Sequence, residues 1–253
     1  FIQVVDAGGI PVESASVRIT NASTSPTISI DDFTDNTGWY GLVETPTSTI
    51  SYRIFISKDG YSNDYTTSSK PTNPNPSKLP ASVTSHNITT MSFAIDRVAS
   101  INFHTITSTC AAIPSASFVM RGQKIIGSLP TVYKYNIKHT TDGDGLYNLE
   151  NVEWDTYAIS ATGTTYDIAG TIPLSPFAIL PNSSQDVYVL LSPHSSNSLL
   201  VKVKDAASGF LRDSRDAGFP RAGVRVRHIP IVAPDGVHEA QQTGHDASDR
   251  RPL

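Results

Sequence analysis

The chain has 253 residues, of which 17% are charged, and its formal net charge is −4. This balance gives no electrostatic reason to expect binding to nucleic acid or to an anionic membrane surface. The single cysteine, Cys110, excludes an internal disulfide, and no apolar run approaches the ~20 residues that a membrane-spanning helix needs.

The first hundred residues alternate between apolar and polar side chains, which predicts β-strands. Residues 1–9 predict a first strand, residues 11–19 a second, and residues 88–95 a closing strand. The segment 33–61 predicts two further strands. Four prolines lie between residues 71 and 80, and they predict a long extended loop within the domain. About seven strands result, a number that suits a β-sandwich.

The next hundred residues repeat the same order of predicted strands, and almost no linker separates the two parts. Residues 99–105 predict an opening strand, residues 116–126 and 131–139 continue the strands, and residues 185–191 close the sheet. Such a short linker should hold the two parts in a restricted geometry.

One piece of sequence occurs twice, at residues 33–61 and at residues 140–163. Each copy has Thr-Asp, a glycine three residues after the aspartate and a tyrosine two residues later. Asp and Gly at these positions are typical of tight turns. The alternation after each turn predicts a hairpin with one solvent-facing side. The matching pairs are Asp35 and Asp142, Gly38 and Gly145, Tyr40 and Tyr147, and Tyr52 and Tyr157.

A third copy begins at residues 199–205, LLVKVKD, whose pattern parallels that of residues 2–6, but it is not completed. After residue 210 the composition changes, since seven of the 11 arginines lie there. We expect this Arg-rich tail to be disordered, and a damaged reading frame is the alternative.

The motifs VVDAGGIPVESASVRI and TDNTGWYGL, with a later strand ending in SKDGY, resemble the carboxypeptidase regulatory-like domain. The second part is similar through TTDGDGLYNLENVEWDTYAISATG. The resemblance implies an all-β fold of tandem Ig-like, transthyretin-like β-sandwiches. It implies domains at 1–97 and 98–195, followed at 196–253 by an incomplete third repeat with the Arg-rich tail.

The run TNASTSPTISIDDFTDNTG with a downstream SFAIDR also resembles tandem surface domains of bacterial proteins that carry a pilin-type anchor upstream. This implies an extracellular or cell-surface location. Because the chain opens without Met inside a predicted strand, we expect a missing upstream segment to hold the anchor. This segment itself is not expected to contact the membrane.

No residue pattern predicts catalysis, and neither a cofactor nor a metal site is expected. The histidines are scattered singly, and no Gly-x-Ser-x-Gly, P-loop or dinucleotide fingerprint occurs. Asp142 and Asp144 suggest a calcium loop, and Glu153 falls at its twelfth position. The fifth and sixth positions, Leu146 and Tyr147, do not fit. We therefore interpret this segment as a turn.

The sequence favours a non-catalytic structural or adhesive protein of the cell surface, in which tandem sandwiches form a stalk or an interaction module. Its partner would be a surface glycan or a protein. The alternative is a carbohydrate-binding module, because exposed aromatic rings can stack on sugars. The candidate stacking residues are Trp39, Trp154, Tyr61 and Tyr166. Packing in the core or at a sheet edge is the competing interpretation of these rings.

Overall fold

The structure is a computed structural model that describes residues 1–195. These residues form nineteen β-strands, and no α-helix occurs among them. The prediction of an all-β sandwich fold is confirmed. None of the described residues belongs to a helix long and apolar enough to cross a membrane. The predicted third repeat and the Arg-rich tail lie outside the described residues.

Two sheets made by residues 1–97 form the first sandwich. One has the strand order β4-β1-β9, and the other has the order β3-β2-β5-β6 with β8 also paired to β5. Between them lies a core that includes Val4, Val17, Ile56 and Phe93. The strands of this part are β1 (Ile2–Val5), β2 (Ser16–Asn21), β3 (Ile28–Phe33), β4 (Trp39–Tyr40), β5 (Ser48–Ser57), β6 (Asp64–Tyr65), β7 (Asn75–Pro76), β8 (Ala81–Val83) and β9 (Met91–Ala94).

Two four-stranded sheets form the second sandwich, with the orders β15-β10-β19-β17 and β14-β11-β16-β18. Its separate core includes Phe103, Phe118, Met120 and Tyr157. The strands are β10 (Ala99–Ile106), β11 (Ser117–Gly122), β12 (Ile125–Ser128), β13 (Val132–Tyr133), β14 (Asn136–Thr140), β15 (Leu146–Val152), β16 (Asp155–Ala161), β17 (Tyr166–Ile172), β18 (Phe177–Ile179) and β19 (Ser184–Pro193).

The two sandwiches repeat one strand arrangement. In each, the first strand runs parallel to the last: β1 pairs with β9, and β10 pairs with β19. The second strand pairs in each case with the strand that carries the buried tyrosine, Tyr52 in β5 and Tyr157 in β16. The boundary proposed between residues 97 and 98 lies between the two cores, and independent folding of the two domains stays a prediction.

The predicted hairpins at 33–61 and 140–163 are wrong. In each copy the two strands lie in opposite sheets, since β4 pairs with β1 while β5 pairs with β2, and β15 pairs with β10 while β16 pairs with β11. The chain therefore crosses from one sheet to the other within each copy. An alternating pattern shows that a strand has one buried face, but two strands can bury their faces in one core from opposite sides.

The predicted turns are confirmed. The Asp35 carboxylate accepts hydrogen bonds from the N–H groups of Thr37 and Trp39, at 2.8 and 2.9 Å. The Asp142 carboxylate accepts from Asp144 and Leu146 in the same way, at 2.9 and 2.8 Å. These bonds use the carboxylates to fix the backbone of the turn, as Asx turns do.

The turn that follows the first strand of each sandwich suggests a stabilising substitution. Gly9 and Cys110 occupy equivalent turns after β1 and β10, and both have positive φ, +82° and +63°. Because a side chain is strained in this region, Cys110→Gly is expected to raise the free energy of unfolding by about 0.5–1 kcal/mol. Urea titration of this variant and of the wild type measures the difference in free energy of unfolding. Cys110→Ser keeps the strain and serves as control. Equal stability of the two variants would show that φ is not the cause.

A buried histidine predicts a pH dependence. The His139 ring packs between Phe118 and Tyr147, and its Nε2 lies 2.8 Å from the Tyr135 hydroxyl. Burial lowers the pKa of His139 below its ordinary 6.5. The unfolded chain therefore binds a proton that the native state resists, and stability falls as the pH drops below 6.5.

His139→Gln removes this contribution, so its stability should fall less steeply between pH 7 and pH 5 than that of the wild type. Urea titrations across this range measure both slopes. His86→Asn, at an exposed turn position, is the control for removing a histidine outside the core. Parallel curves for His139→Gln and the wild type would contradict the assignment.

Candidate functional site

The four predicted stacking residues lie on different parts of the structure. Trp39 is half-buried in β4, and Tyr166 packs against the second core from β17. Tyr61 lies beside Arg97, whose guanidinium carbon is 5.6 Å from its ring centroid. Among the described residues, no ring contact joins any two of the four. Their role in ligand stacking stays a prediction.

Trp154 borders a cleft, which lies between the two sandwiches and has a volume of about 270 Å³. The Lys124 ammonium covers one face of its indole, 3.1 Å from the ring centroid. The indole N–H is buried and has no hydrogen-bond partner within the described part of the chain. Trp154 therefore packs under a lysine between the two sandwiches, and one face of its ring is already covered.

A small sheet made by both sandwiches lies beside this cleft. Its order is β13-β12-β7, so a strand of residues 1–97 pairs with a hairpin of the second sandwich. Pro76 lies opposite Gly127, and Asn75 lies opposite Ser128. The Ser77 N–H donates to the Ile126 carbonyl at 3.0 Å. This sheet forms the main part of what we call the joint.

The segment 71–80, predicted as a long extended loop, is mostly irregular, but it also contains the two-residue strand β7. Proline has no N–H to donate, but its carbonyl can still accept and its fixed φ suits extended chain at a sheet edge. The segment folds back on itself, with a bridge between Lys70 and Asn73, and then presents β7 to β12.

Two asparagines strengthen the joint with their side-chain amides. Asn73 donates to the Ile126 carbonyl at 3.0 Å, and Asn75 donates to the Ser128 carbonyl at 3.2 Å. Asn73 is only 1% exposed. A Cβ at Gly127 would overlap the Oδ1 atom of Asn73, so only glycine fits opposite it. The two sandwiches therefore contact each other closely here.

A charged cluster completes the joint. The Glu153 carboxylate pairs with Lys124 at 2.8 Å and with Lys134 at 2.7 Å. The Lys134 ammonium also donates to the Asn63 carbonyl of the first sandwich at 2.5 Å. Burial is the largest influence on Lys124 and lowers its pKa, while the hydrogen bond to Glu153 acts in the opposite direction. The ion pairs lie within the second sandwich, and the Lys134 bond to Asn63 is the contact by which the cluster reaches the first.

The cleft contains no arrangement that predicts catalysis. Its lysines are held by carboxylates, and the third pair, Lys78 with Asp64, has a separation of 2.5 Å. Across residues 1–195, no group of three His, Cys, Asp or Glu side chains is placed to hold a metal ion. The contacts that join the two sandwiches here are the β7–β12 pairing, the two asparagine bonds and the Lys134 bond to Asn63.

The sequence patterns do not identify the joint. In the sequence, Glu153 is notable only as the twelfth position of a calcium loop, an interpretation that is not adopted. Asn73 and Asn75 fall in a predicted loop. The useful signal is the length of the polar segment between the predicted strands. A long ordered insertion in a compact domain commonly has a function.

No protein-family model and no curated protein sequence matches this chain. The carboxypeptidase regulatory-like resemblance therefore stays a prediction.

Solved structures give low-scoring matches, which include pilins. The minor pilin GBS52 of Streptococcus agalactiae is 8% identical with a TM-score of 0.31, covering 78% of this chain and 98% of that one. The shaft pilin SpaA of Lactobacillus rhamnosus GG is 12% identical with a TM-score of 0.28, covering 78% of this chain and 98% of that one. The Bacillus anthracis TIE protein is 12% identical with a TM-score of 0.30 over 76% of this chain, which spans 33% of its length.

Proposed function

We propose that this chain is a non-catalytic structural protein of the cell surface, in which two β-sandwiches act as a stiff spacer. The observation that carries the proposal is the joint. A spacer transmits position and force only if its modules keep a fixed relative orientation, and two domains in one chain move freely unless their interface is extensive. Here a shared sheet, the side-chain amides of buried Asn73 and exposed Asn75, and the Lys134 bond to the Asn63 carbonyl all connect the modules.

The kinds of contact at the joint support this role. Backbone pairing between β7 and β12 is directional, and the fit of Asn73 against Gly127 permits little sliding. Lys134, which donates to the Asn63 carbonyl of the first sandwich, is held in place by Glu153, whose side chain is only 17% exposed. Partly buried ion pairs are screened by salt less than exposed ones are. The Lys134 contact with Asn63 should therefore persist at physiological ionic strength.

Surface location can be tested on the source cells. Antibodies raised against the full chain should label intact cells, and protease added outside should remove the signal. A cytoplasmic marker protein serves as control for lysis. Labelling only after the cells are permeabilised would contradict the proposal.

Binding to a broad glycan array tests the competing carbohydrate-binding function at the predicted aromatic residues. The full chain is compared with Trp39→Ala and Trp154→Ala. Under our proposal neither substitution abolishes a selective interaction. Selective glycan binding that is lost in either variant would instead make a carbohydrate-binding module the better description.

A further inference from the structure

The outer face of the β3-β2-β5-β6 sheet has a row of side chains that crosses all four strands. Asp31 lies opposite Arg18, Arg18 opposite Phe55, and Phe55 opposite Tyr65. Residues opposite each other in a sheet share a face, so these four side chains are neighbours. The Phe55 side chain is on the exposed face, with 39% of its surface accessible. Its ring stacks with that of Tyr65 at a centroid separation of 6.1 Å and an interplanar angle of 23°.

Two guanidinium groups flank this aromatic pair. Arg53 is two residues before Phe55 on β5 and therefore on the same face. Its side chain is exposed and forms no ion pair or hydrogen bond with the rest of residues 1–195. Arg18 donates its Nε–H to Asp31 at 2.6 Å while its side chain stays 62% exposed. With Thr20 they border a shallow groove of about 320 Å³. This positive site belongs to a chain whose net charge is −4.

We propose that this groove binds an acidic saccharide, a chain of pyranose rings that carry carboxylates. The exposed aromatic ring offers an apolar face for the C–H groups of a sugar. Arginine is suited to carboxylates because its planar fork forms two parallel hydrogen bonds. Arg53 has this capacity free, and the Thr20 hydroxyl can exchange hydrogen bonds with sugar hydroxyls.

The position of the groove favours a saccharide over an acidic peptide. An extended peptide commonly binds by adding a strand to a sheet edge, where backbone groups are unpaired. Arg18, Arg53 and Phe55 lie instead on β2 and β5, which are paired on both sides. Only side chains are available here. The groove contains none of the four aromatic residues predicted from the sequence, and Tyr65 lines both this groove and the cleft between the sandwiches.

A suitable probe is the hexasaccharide of hyaluronan, in which carboxylated and neutral rings alternate. Titrated into the full chain and followed by amide chemical shifts, it should perturb residues of β2, β5 and β6. Arg53→Gln should weaken binding about tenfold or more, because a charge-assisted contact is lost. Phe55→Leu keeps an apolar strand residue but removes the ring, and it should weaken binding too. Chitohexaose, a neutral chain of equal length, should not bind.

Lys138→Gln is the matched control, because it removes one exposed positive charge from β14 of the second sandwich. It should bind the hexasaccharide as the wild type does. Absence of binding would overturn the proposal. So would equal losses in Arg53→Gln and Lys138→Gln, which would indicate non-specific attraction. Equally tight binding of a hexaglutamate peptide would overturn the assignment to a saccharide.

Discussion

Replacing Gly145 by alanine is expected to lower the free energy of unfolding by about 2–5 kcal/mol. Gly145 has φ of +74°, a conformation that costs an L-residue about 1–2 kcal/mol. Its added Cβ would also lie 2.9 Å from the Thr105 carbonyl oxygen and 3.0 Å from that of Ile113. Both are backbone atoms of the core, so relieving the contact means moving strands, which adds about 1–3 kcal/mol. Urea unfolding of the full chain measures the loss.

Gly60→Ala is the matched control, since Gly60 has φ of +74° but a Cβ added there would have no atom within 4 Å. It should lose only the backbone part, about 1–2 kcal/mol. Gly38→Ala should resemble Gly145→Ala, because its Cβ would lie 2.5 Å from the Val4 carbonyl oxygen. If all three variants lost the same stability, the close packing of the repeated turn would not matter.

Gly127→Ala is expected to disrupt the joint while leaving both cores intact. The new methyl group would overlap the buried Asn73 amide, which must then leave its place and give up its bond to the Ile126 carbonyl. Overpacking of this kind costs about 1–3 kcal/mol. Amide hydrogen exchange should increase at Ser77, which donates to the Ile126 carbonyl, and in β12, while exchange in the core strands β10 and β19 stays slow.

Two further variants identify the cause. Gly127→Ala combined with Asn73→Ala removes the clashing amide, so the double variant should recover part of the loss. Gly170→Ala, on β17 with no atom within 4 Å of the added Cβ, should behave as the wild type. A Gly127→Ala variant with wild-type exchange at Ser77 would show that the pairing of β7 with β12 does not depend on this contact.

The repeated segment of sequence predicted several local features of the fold. The turns at Asp35 and Asp142 and the buried tyrosines Tyr52 and Tyr157 depend on short-range chemistry that recurs in both copies. Local signals of this kind can be read from one sequence, because the atoms that make the turn are only a few residues apart. The opening and closing strands also carry a clear alternation.

Strand pairing could not be predicted in the same way. Tyr147 and Tyr157 belong to strands with similar patterns, and nothing in those patterns shows that β15 joins one sheet and β16 the other. The second strand also begins later than predicted, at Ser16, since residues 11–15 run along β1 and the Val12 N–H donates to the Val4 carbonyl. Long-range contacts of this type are decided by the whole core.

The contacts of the joint were even harder to predict from the sequence. Its contacts join residues more than 50 positions apart, as between Asn73 and Ile126 or Asn75 and Ser128. They involve asparagine, proline and glycine, which in a sequence indicate loops. Aromatic residues are natural candidates for ligand binding, yet Trp154 lies under Lys124. Phe55 and Tyr65 are brought together only by the register between β5 and β6.

The spacer function depends on a fixed geometry between the sandwiches, and a distance measurement tests this directly. Spin labels at Ser29→Cys on β3 and Lys138→Cys on β14, in a chain with Cys110→Ser, report the separation of the two modules. We predict one narrow distance distribution in the otherwise unaltered chain, and a broader one when Gly127→Ala is added. A broad distribution without that substitution would show that the sandwiches move independently, and it would contradict the proposed spacer.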